Sequence, residues 1–96
     1  MQAKRRMTII GAGNIGTAIA GGLVDSGRFE SKDITLTRRT PAALEVLRGR
    51  GFSVDTDNRA AVRQSEVVLV AVEPQQFDAV IAEIAPDLKR GHHVVI

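Results

Sequence analysis

Thr8-Ile9-Ile10-Gly11-Ala12-Gly13-Asn14-Ile15-Gly16 is the stretch whose reading decides the fold. A short apolar run meets Gly-x-Gly-x-x-Gly, and Thr17-Ala18-Ile19-Ala20-Gly21-Gly22-Leu23-Val24 follows. This pattern describes a buried strand that makes a tight turn and becomes a helix. Gly11 permits the turn. Gly13, lacking a side chain, lets a pyrophosphate approach the backbone, and Gly16 lets the helix pack closely on the strand. The helix N-terminus turns unpaired N–H groups and the positive end of its dipole toward the phosphates. Glycines at this spacing also occur in flexible loops, so the flanks matter. Ile15, Ile19 and Leu23 recur at helical spacing on one face, with Ala18 and Gly22 beside them. Asp25-Ser26-Gly27 supplies a stop with a C-terminal glycine. The stretch reads as a dinucleotide-binding fingerprint.

Outward from this turn, strands and helices alternate. Met7 to Ile10 is the first strand, and Asn14 to about Ser26 the first helix. Asp33-Ile34-Thr35-Leu36-Thr37 alternates and is rich in β-branched residues, a second strand. Thr40 caps a helix over Ala42 to Arg48, Pro41 suits its first turn, and Gly49 or Gly51 ends it. Phe52-Ser53-Val54 is a short third strand, and Asp57 or Asn58 caps a helix over Arg59 to Gln64. Val67-Val68-Leu69-Val70-Ala71-Val72 is an unbroken apolar run, expected to be a strand buried on both faces. Glu73-Pro74-Gln75-Gln76 breaks it. A helix from Phe77 to Ala85 and a fifth strand at His92 to Ile96 complete the series. This alternation implies an α/β fold, a Rossmann-type doubly wound parallel sheet of strand order 3-2-1-4-5. Its crevice lies where the first and fourth strands part, above their carboxyl ends.

Composition narrows the function classes. The chain has 96 residues, enough for one small domain, and 44 % of them are hydrophobic. Phe29, Phe52 and Phe77 are its aromatic residues, so the core is aliphatic. A net charge of +2 without aromatic interleaving argues against nucleic-acid binding. Lys4-Arg5-Arg6 before Met7-Thr8-Ile9-Ile10 imitates a signal peptide, but Gly11-Ala12-Gly13-Asn14 interrupts the apolar run at once. No stretch approaches the ~20 apolar residues of a membrane span. The absence of cysteine removes disulfides, thiolate metal sites and thiol catalysis, and suits a reducing, cytoplasmic setting. No cluster has metal-ligand spacing. The abrupt end on an apolar strand suggests a partial chain.

Two further loops converge on the crevice. An NAD-binding unit carries an acid about 20 residues past the glycines, to bond the ribose 2′-hydroxyl. Here that place holds Thr37-Arg38-Arg39-Thr40, with two guanidiniums and no acid. Arginine matches phosphate with a planar bidentate fork, so this loop points to a 2′-phosphate and hence to NADP(H). Opposite the glycine turn, Ala71-Val72-Glu73-Pro74-Gln75 leaves the fourth strand, where backbone groups could hold the nicotinamide ribose. Asp25, Asp55 and Asp57 read as cap and turn residues. His92 and His93 sit at the amino-terminal end of the sheet, away from the crevice.

Ile10-Gly11-Ala12-Gly13-Asn14-Ile15 together with Ala71-Val72-Glu73-Pro74-Gln75 resembles the amino-terminal domain of pyrroline-5-carboxylate reductase. That family carries a glycine turn followed by Asn or Gln, and an Ala-Val-Lys-Pro-Gln stretch after the fourth strand. Thr56-Asp57-Asn58-Arg59 is similar to a family loop whose Asn contacts the cofactor, which maps to Asn58. The resemblance implies that NADPH delivers hydride to the imine of 1-pyrroline-5-carboxylate, giving proline. It also implies a helical carboxyl-terminal domain that binds this small substrate and makes a homo-oligomer. Nothing in residues 1–96 supplies that domain, so no catalytic residue is assigned. The departure from the family is Glu73, where the family has Lys. Related F420-dependent and β-hydroxyacid dehydrogenase cofactor domains share the first two loops, and a non-catalytic dinucleotide-binding module is the alternative of another class.

Overall fold

The glycine turn sets the architecture. A computed structural model describes residues 5–11, 13–89 and 92–95. The strands are β1 (Met7–Ile10), β2 (Ile34–Thr37), β3 (Ser53–Asp55), β4 (Val67–Val70) and β5 (His93–Val95). The α-helices are α1 (Asn14–Asp25), α2 (Pro41–Gly49), α3 (Asn58–Arg63) and α4 (Pro74–Ile84). All strands pair in parallel in the order β3-β2-β1-β4-β5. This is the doubly wound, Rossmann-type sheet that the alternation implies.

Strand alternation sorts the core into two layers. Met7, Ile9, Ile34 and Leu36 point to one face and pack with Ala20 of α1, Leu44 and Leu47 of α2, and Phe52. Ile10, Val68 and Val70 point to the other and pack with Val62 of α3 and Val80 and Ile84 of α4. Each such fully buried aliphatic side chain contributes roughly 1.5–3 kcal/mol. Thr8 shares the second face. Its hydroxyl pairs with that of Ser65, and each lies 3.0 Å from the Ala61 carbonyl oxygen, which ties β1 to α3.

The register aligns the strand ends. Ile10 stands beside Thr37 on one side and Val70 on the other, and Thr37 stands beside Asp55. The loops after β1, β2, β3 and β4 therefore leave the sheet from one row, and that row builds the cleft.

Several local readings are corrected. The apolar run from Val67 leaves the sheet at Val70, so Ala71 and Val72 belong to the connection. Val68 and Val70 are buried but Val67 and Leu69 only half so, because α1 and α2 sit over the β1–β3 side of the sheet. Glu73 is the N-cap of α4 and Pro74 its first residue, so Gln75 and Gln76 form the first helical turn rather than a break. Thr40 does precede α2, but its side chain makes no capping bond. Asp57 caps α3, accepting from the Arg59 and Ala60 amides. Gly49 ends α2, and Gly51, at φ +96°, carries the turn after it. On α1 the sheet-facing positions are Gly16 and Ala20, while Ile15 is 73 % and Ile19 37 % exposed. The turn presses the start of α1 so close to β1 that only small residues fit beneath it there, while Leu23 and Val24 pack against the core toward the helix's other end. Ile96 lies outside the described residues.

Candidate functional site

A cleft of about 310 Å³ opens at the carboxyl ends of β1, β2 and β4. Its floor is the glycine turn. Gly11, at φ +85°, donates its N–H to the Thr37 carbonyl at 3.2 Å. A Cβ added there would lie 2.7 Å from Val72 Cγ1 and 2.8 Å from the Ala71 oxygen. Gly16 is held as tightly, its hypothetical Cβ 3.0 Å from the Gly11 oxygen and 3.2 Å from Ile9 Cγ2. Gly13 differs. Its φ of −82° suits any residue, and beyond its chain neighbours an added Cβ would meet nothing nearer than the Gly11 oxygen at 4.0 Å. Neither backbone strain nor packing calls for glycine at this position. The space it leaves open is on the cleft, directly before α1. That helix begins with no side-chain cap and no acid in its first turn, an N-terminus suited to meeting an anion.

The walls come from the other loops. Arg38 and Arg39 rise from the end of β2 on one side, with Thr40 beyond them. The Arg38 amide donates to the Asp55 carbonyl, which fixes the loop against β3. Thr56 and Asn58 come from the β3–α3 turn, which is held by the Asp57 cap and by the Asp57 amide donating to Asp55 Oδ1 at 2.9 Å. The Asn58 side-chain amide donates to Glu83 Oε1 of α4 at 3.1 Å. Ala71, Val72 and Glu73 close the side above β4, with Gln76 and Val80 of α4 behind them. The Ala71 amide donates to the Ile10 carbonyl at 2.9 Å, binding this connection to the glycine turn.

A family profile described as NADP oxidoreductase, coenzyme F420-dependent, matches residues 6–96. The chain belongs to this family. It is 37 % identical over 89 residues to a pyrroline-5-carboxylate reductase of Dictyostelium discoideum, a match that covers 93 % of the chain and 16 % of that protein. It superposes with a TM-score of 0.83 on a pyrroline-5-carboxylate reductase of Coxiella burnetii, at 29 % identity, over 92 % of this chain and 33 % of that one. An imine reductase of Myxococcus stipitatus in complex with NADP+ gives a TM-score of 0.76 at 28 % identity, over 93 % and 30 % of the two chains. The chain thus spans a third or less of the length of these relatives.

Within this family domain, the cleft gathers Ile10, Gly11, Gly13, Thr37, Arg38, Arg39, Asn58, Ala71, Val72 and Glu73 of the residues singled out from sequence. Ala12 lies outside the described residues. Asn14 faces a broader groove between α1 and α2, Ile15 points to solvent, and Gly16 is buried under the turn. Pro74 and Gln75 are exposed at the start of α4, with the Gln75 amide bonded to the Glu73 carboxylate. Sequence reading passed over Thr40, Thr56, Gln76 and Val80. Thr40 and Thr56 adjoin residues already assigned. Gln76 and Val80 follow Glu73 at helical spacing, visible once α4 is started at Pro74.

Charges in and behind the cleft are few. Arg38, Arg39 and Glu73 are the charged groups among its described lining residues. Behind it, buried Asp87 accepts from Arg59 Nε at 2.6 Å and Arg63 Nη1 at 3.2 Å. The hydrogen bond from Arg59, with Arg63 adding to it, holds the Asp87 carboxyl below the usual carboxylate range. The same contact raises the Arg59 guanidinium. His92 stands at the far end of the sheet. Its Nδ1 accepts from the Lys89 amide at 2.7 Å, which leaves Nε2–H to donate to the Val62 carbonyl at 3.1 Å. Both ring nitrogens are committed to the backbone, so the ring pins the entry to β5. Among the described residues no group of three or more His, Asp and Glu could hold a metal ion, and no helix is long and apolar enough to cross a membrane.

Proposed function

We propose that this chain is the NADP(H)-binding domain of an oxidoreductase resembling pyrroline-5-carboxylate reductase. The observation that carries the reading is Gly13. It is a glycine that backbone and packing do not require, set between an uncapped helix and two arginines. In this reading the pyrophosphate lies over Gly11 and Gly13 against the start of α1. Arg38 and Arg39 hold the 2′-phosphate, Asn58 contacts the cofactor, and the Ala71–Glu73 backbone faces the nicotinamide half. Bound NADPH supplies hydride, and the residues here orient the cofactor and take no part in proton transfer. The imine of 1-pyrroline-5-carboxylate is the proposed acceptor, with proline the product. Substrate pocket and subunit contacts are assigned to the part of the relatives' length that this chain does not span. A cytoplasmic setting is supported by the cysteine-free composition.

The test is a pair of calorimetric titrations, NADPH and NADH, on wild type, Arg38→Ala and Arg39→Ala. A charge-assisted hydrogen bond is worth roughly 1.5–3 kcal/mol, and solvent exposure cuts this toward the lower end. Each substitution should weaken NADPH about tenfold, since ~1.4 kcal/mol is a factor of ten, and leave NADH nearly unchanged. Equal weakening of both cofactors would show that the arginines support the loop without reading the phosphate. The chain alone should not turn over pyrroline-5-carboxylate.

A second reading, the cofactor domain of an F420-dependent NADP reductase, is favoured by Glu73, which departs from the reductase pattern. Assays of a protein that carries the substrate domain, offering F420 and pyrroline-5-carboxylate in turn, separate the two.

A further inference from the structure

The three charged groups of the cleft are divided between its ends. Arg38 and Arg39 follow β2, and Glu73 follows β4. Because β2 and β4 flank β1 on opposite sides, a dinucleotide centred on the glycine turn spreads its two halves over these two ends. The β2 end is where the adenosine ribose is discriminated. The nicotinamide half therefore extends over the β4 end, toward Glu73.

That half is the part of the cofactor whose charge changes. The ring is cationic in NADP+ and neutral in NADPH, while the phosphates are the same in both. Glu73 is exposed, and its carboxylate accepts from the Gln75 side-chain amide, a neutral partner that leaves its negative charge in place. The positive half-charge at the α4 N-terminus acts on the cationic ring in the opposite sense to Glu73, but it is common to wild type and Glu73 variants and cancels from their comparison. Resting on the cofactor reading above, we propose that Glu73 sets the redox preference of the site, binding the cationic nicotinamide of NADP+ in preference to the neutral ring of NADPH. By linkage, the bound cofactor becomes a stronger hydride donor. A lysine at this position, as in the reductases that the sequence resembles, would act in the opposite sense.

The experiment compares Kd for NADP+ and NADPH on wild type, Glu73→Gln and Glu73→Lys at low salt and in 1 M salt. One ion pair at near-aqueous dielectric is worth about threefold in affinity. Glu73→Gln should lower NADP+ affinity relative to NADPH by about that factor, equivalent to about 14 mV of two-electron potential. Glu73→Lys should lower it by about tenfold. In 1 M salt, where the Debye length is about 3 Å, the difference should largely vanish. 2′-Phospho-ADP-ribose, which lacks the nicotinamide, should bind Glu73→Gln and wild type with the same ratio to NADPH at either salt concentration. An NADP+ to NADPH ratio that is unchanged in both variants, while wild type binds both cofactors, overturns the role of Glu73 alone. A wild type that binds neither cofactor overturns the cofactor reading, and this inference with it.

Discussion

Gly11 and Gly13 are two residues apart and carry opposite expectations, which makes Gly11→Ala against Gly13→Ala a sharp test of the cleft. At Gly11 a side chain must adopt φ near +85°, which costs roughly 1–2 kcal/mol. Its Cβ must also displace Val72 Cγ1 from 2.7 Å and the Ala71 backbone oxygen from 2.8 Å, an overpacking cost of roughly 1–3 kcal/mol. Gly11→Ala should therefore lose about 2–5 kcal/mol of a total that is typically ~5–15. Thermal unfolding should fall by roughly 10 °C or more, at ~4–8 °C per kcal/mol for a domain of this size. At Gly13 the backbone is ordinary, and beyond its chain neighbours an added Cβ would meet nothing nearer than the Gly11 oxygen at 4.0 Å. Alanine is the poorer N-cap there but loses less entropy on folding, so stability should change by less than about 1 kcal/mol. The new methyl instead occupies the space assigned to the pyrophosphate. NADPH should weaken at least tenfold, about 1.4 kcal/mol, within the range of an overpacked contact. Calorimetric unfolding without cofactor and fluorescence titration with NADPH read the two effects separately. Gly13→Ala binding NADPH like wild type would refute the placement of the phosphates. A Gly13→Ala variant as unstable as Gly11→Ala would refute the structural distinction itself.

Two further predictions concern stability. The Thr37 side-chain oxygen is buried without a hydrogen-bond partner among the described residues, and a buried unsatisfied hydroxyl costs about 1–3 kcal/mol. Thr37→Val keeps the shape and the β-branching, so it should raise Tm in the cofactor-free protein; a drop of several degrees would show that the hydroxyl has a partner. Asp87 has a folded pKa below its ordinary 3.8, so its contribution is complete above that value and is lost as pH falls through the depressed one. Wild type and Asp87→Asn should accordingly differ in Tm at pH 7 and converge below pH ~4, whereas a constant gap down to pH 2 would assign the effect to packing rather than charge.

The order of the sheet was legible because it depends on coarse signals. Buried β-branched runs, helical periodicities between them and short punctuated loops admit few topologies once crossovers are right-handed. Boundaries at Ala71–Gln76 were not legible. Hydrophobicity continues from Val70 into Val72, yet the strand stops where its partner β1 turns away at Gly11. Pro74 looks like a breaker in sequence, but proline is also at home in the first helical turn, and only the cap at Glu73 decides between the two. The apolar face of α1 misleads for a related reason. Ile15 and Ile19 have the right spacing for a core stripe, but the close approach enforced by Gly16 buries Gly16 and Ala20 in their place, and the larger Leu23 and Val24 reach the core only further along the helix. A rotation of one residue, about 100°, separates the two stripes, and hydrophobicity alone favours the wrong one.

The candidate site divides along the same physical line. Residues whose role is set by position in the motif, such as Arg38 and Arg39 after β2, could be named from spacing because the strand end fixes where they emerge. Residues that reach the cleft by packing could not. Val80 and Gln76 arrive because α4 lies against the second face of the sheet, a fact of tertiary docking. The glycines show most clearly what a sequence withholds. Gly11, Gly13 and Gly16 are the same letter, yet the first answers to a positive φ and a backbone contact, and the third to helix–strand packing. For Gly13 both of those demands are absent. As the N-cap of α1, glycine outranks alanine but not Ser, Asn or Asp, so the fold gives no particular reason to prefer it there. The open space beside it, facing an uncapped helix start and two guanidiniums, is what supports the proposed phosphate site.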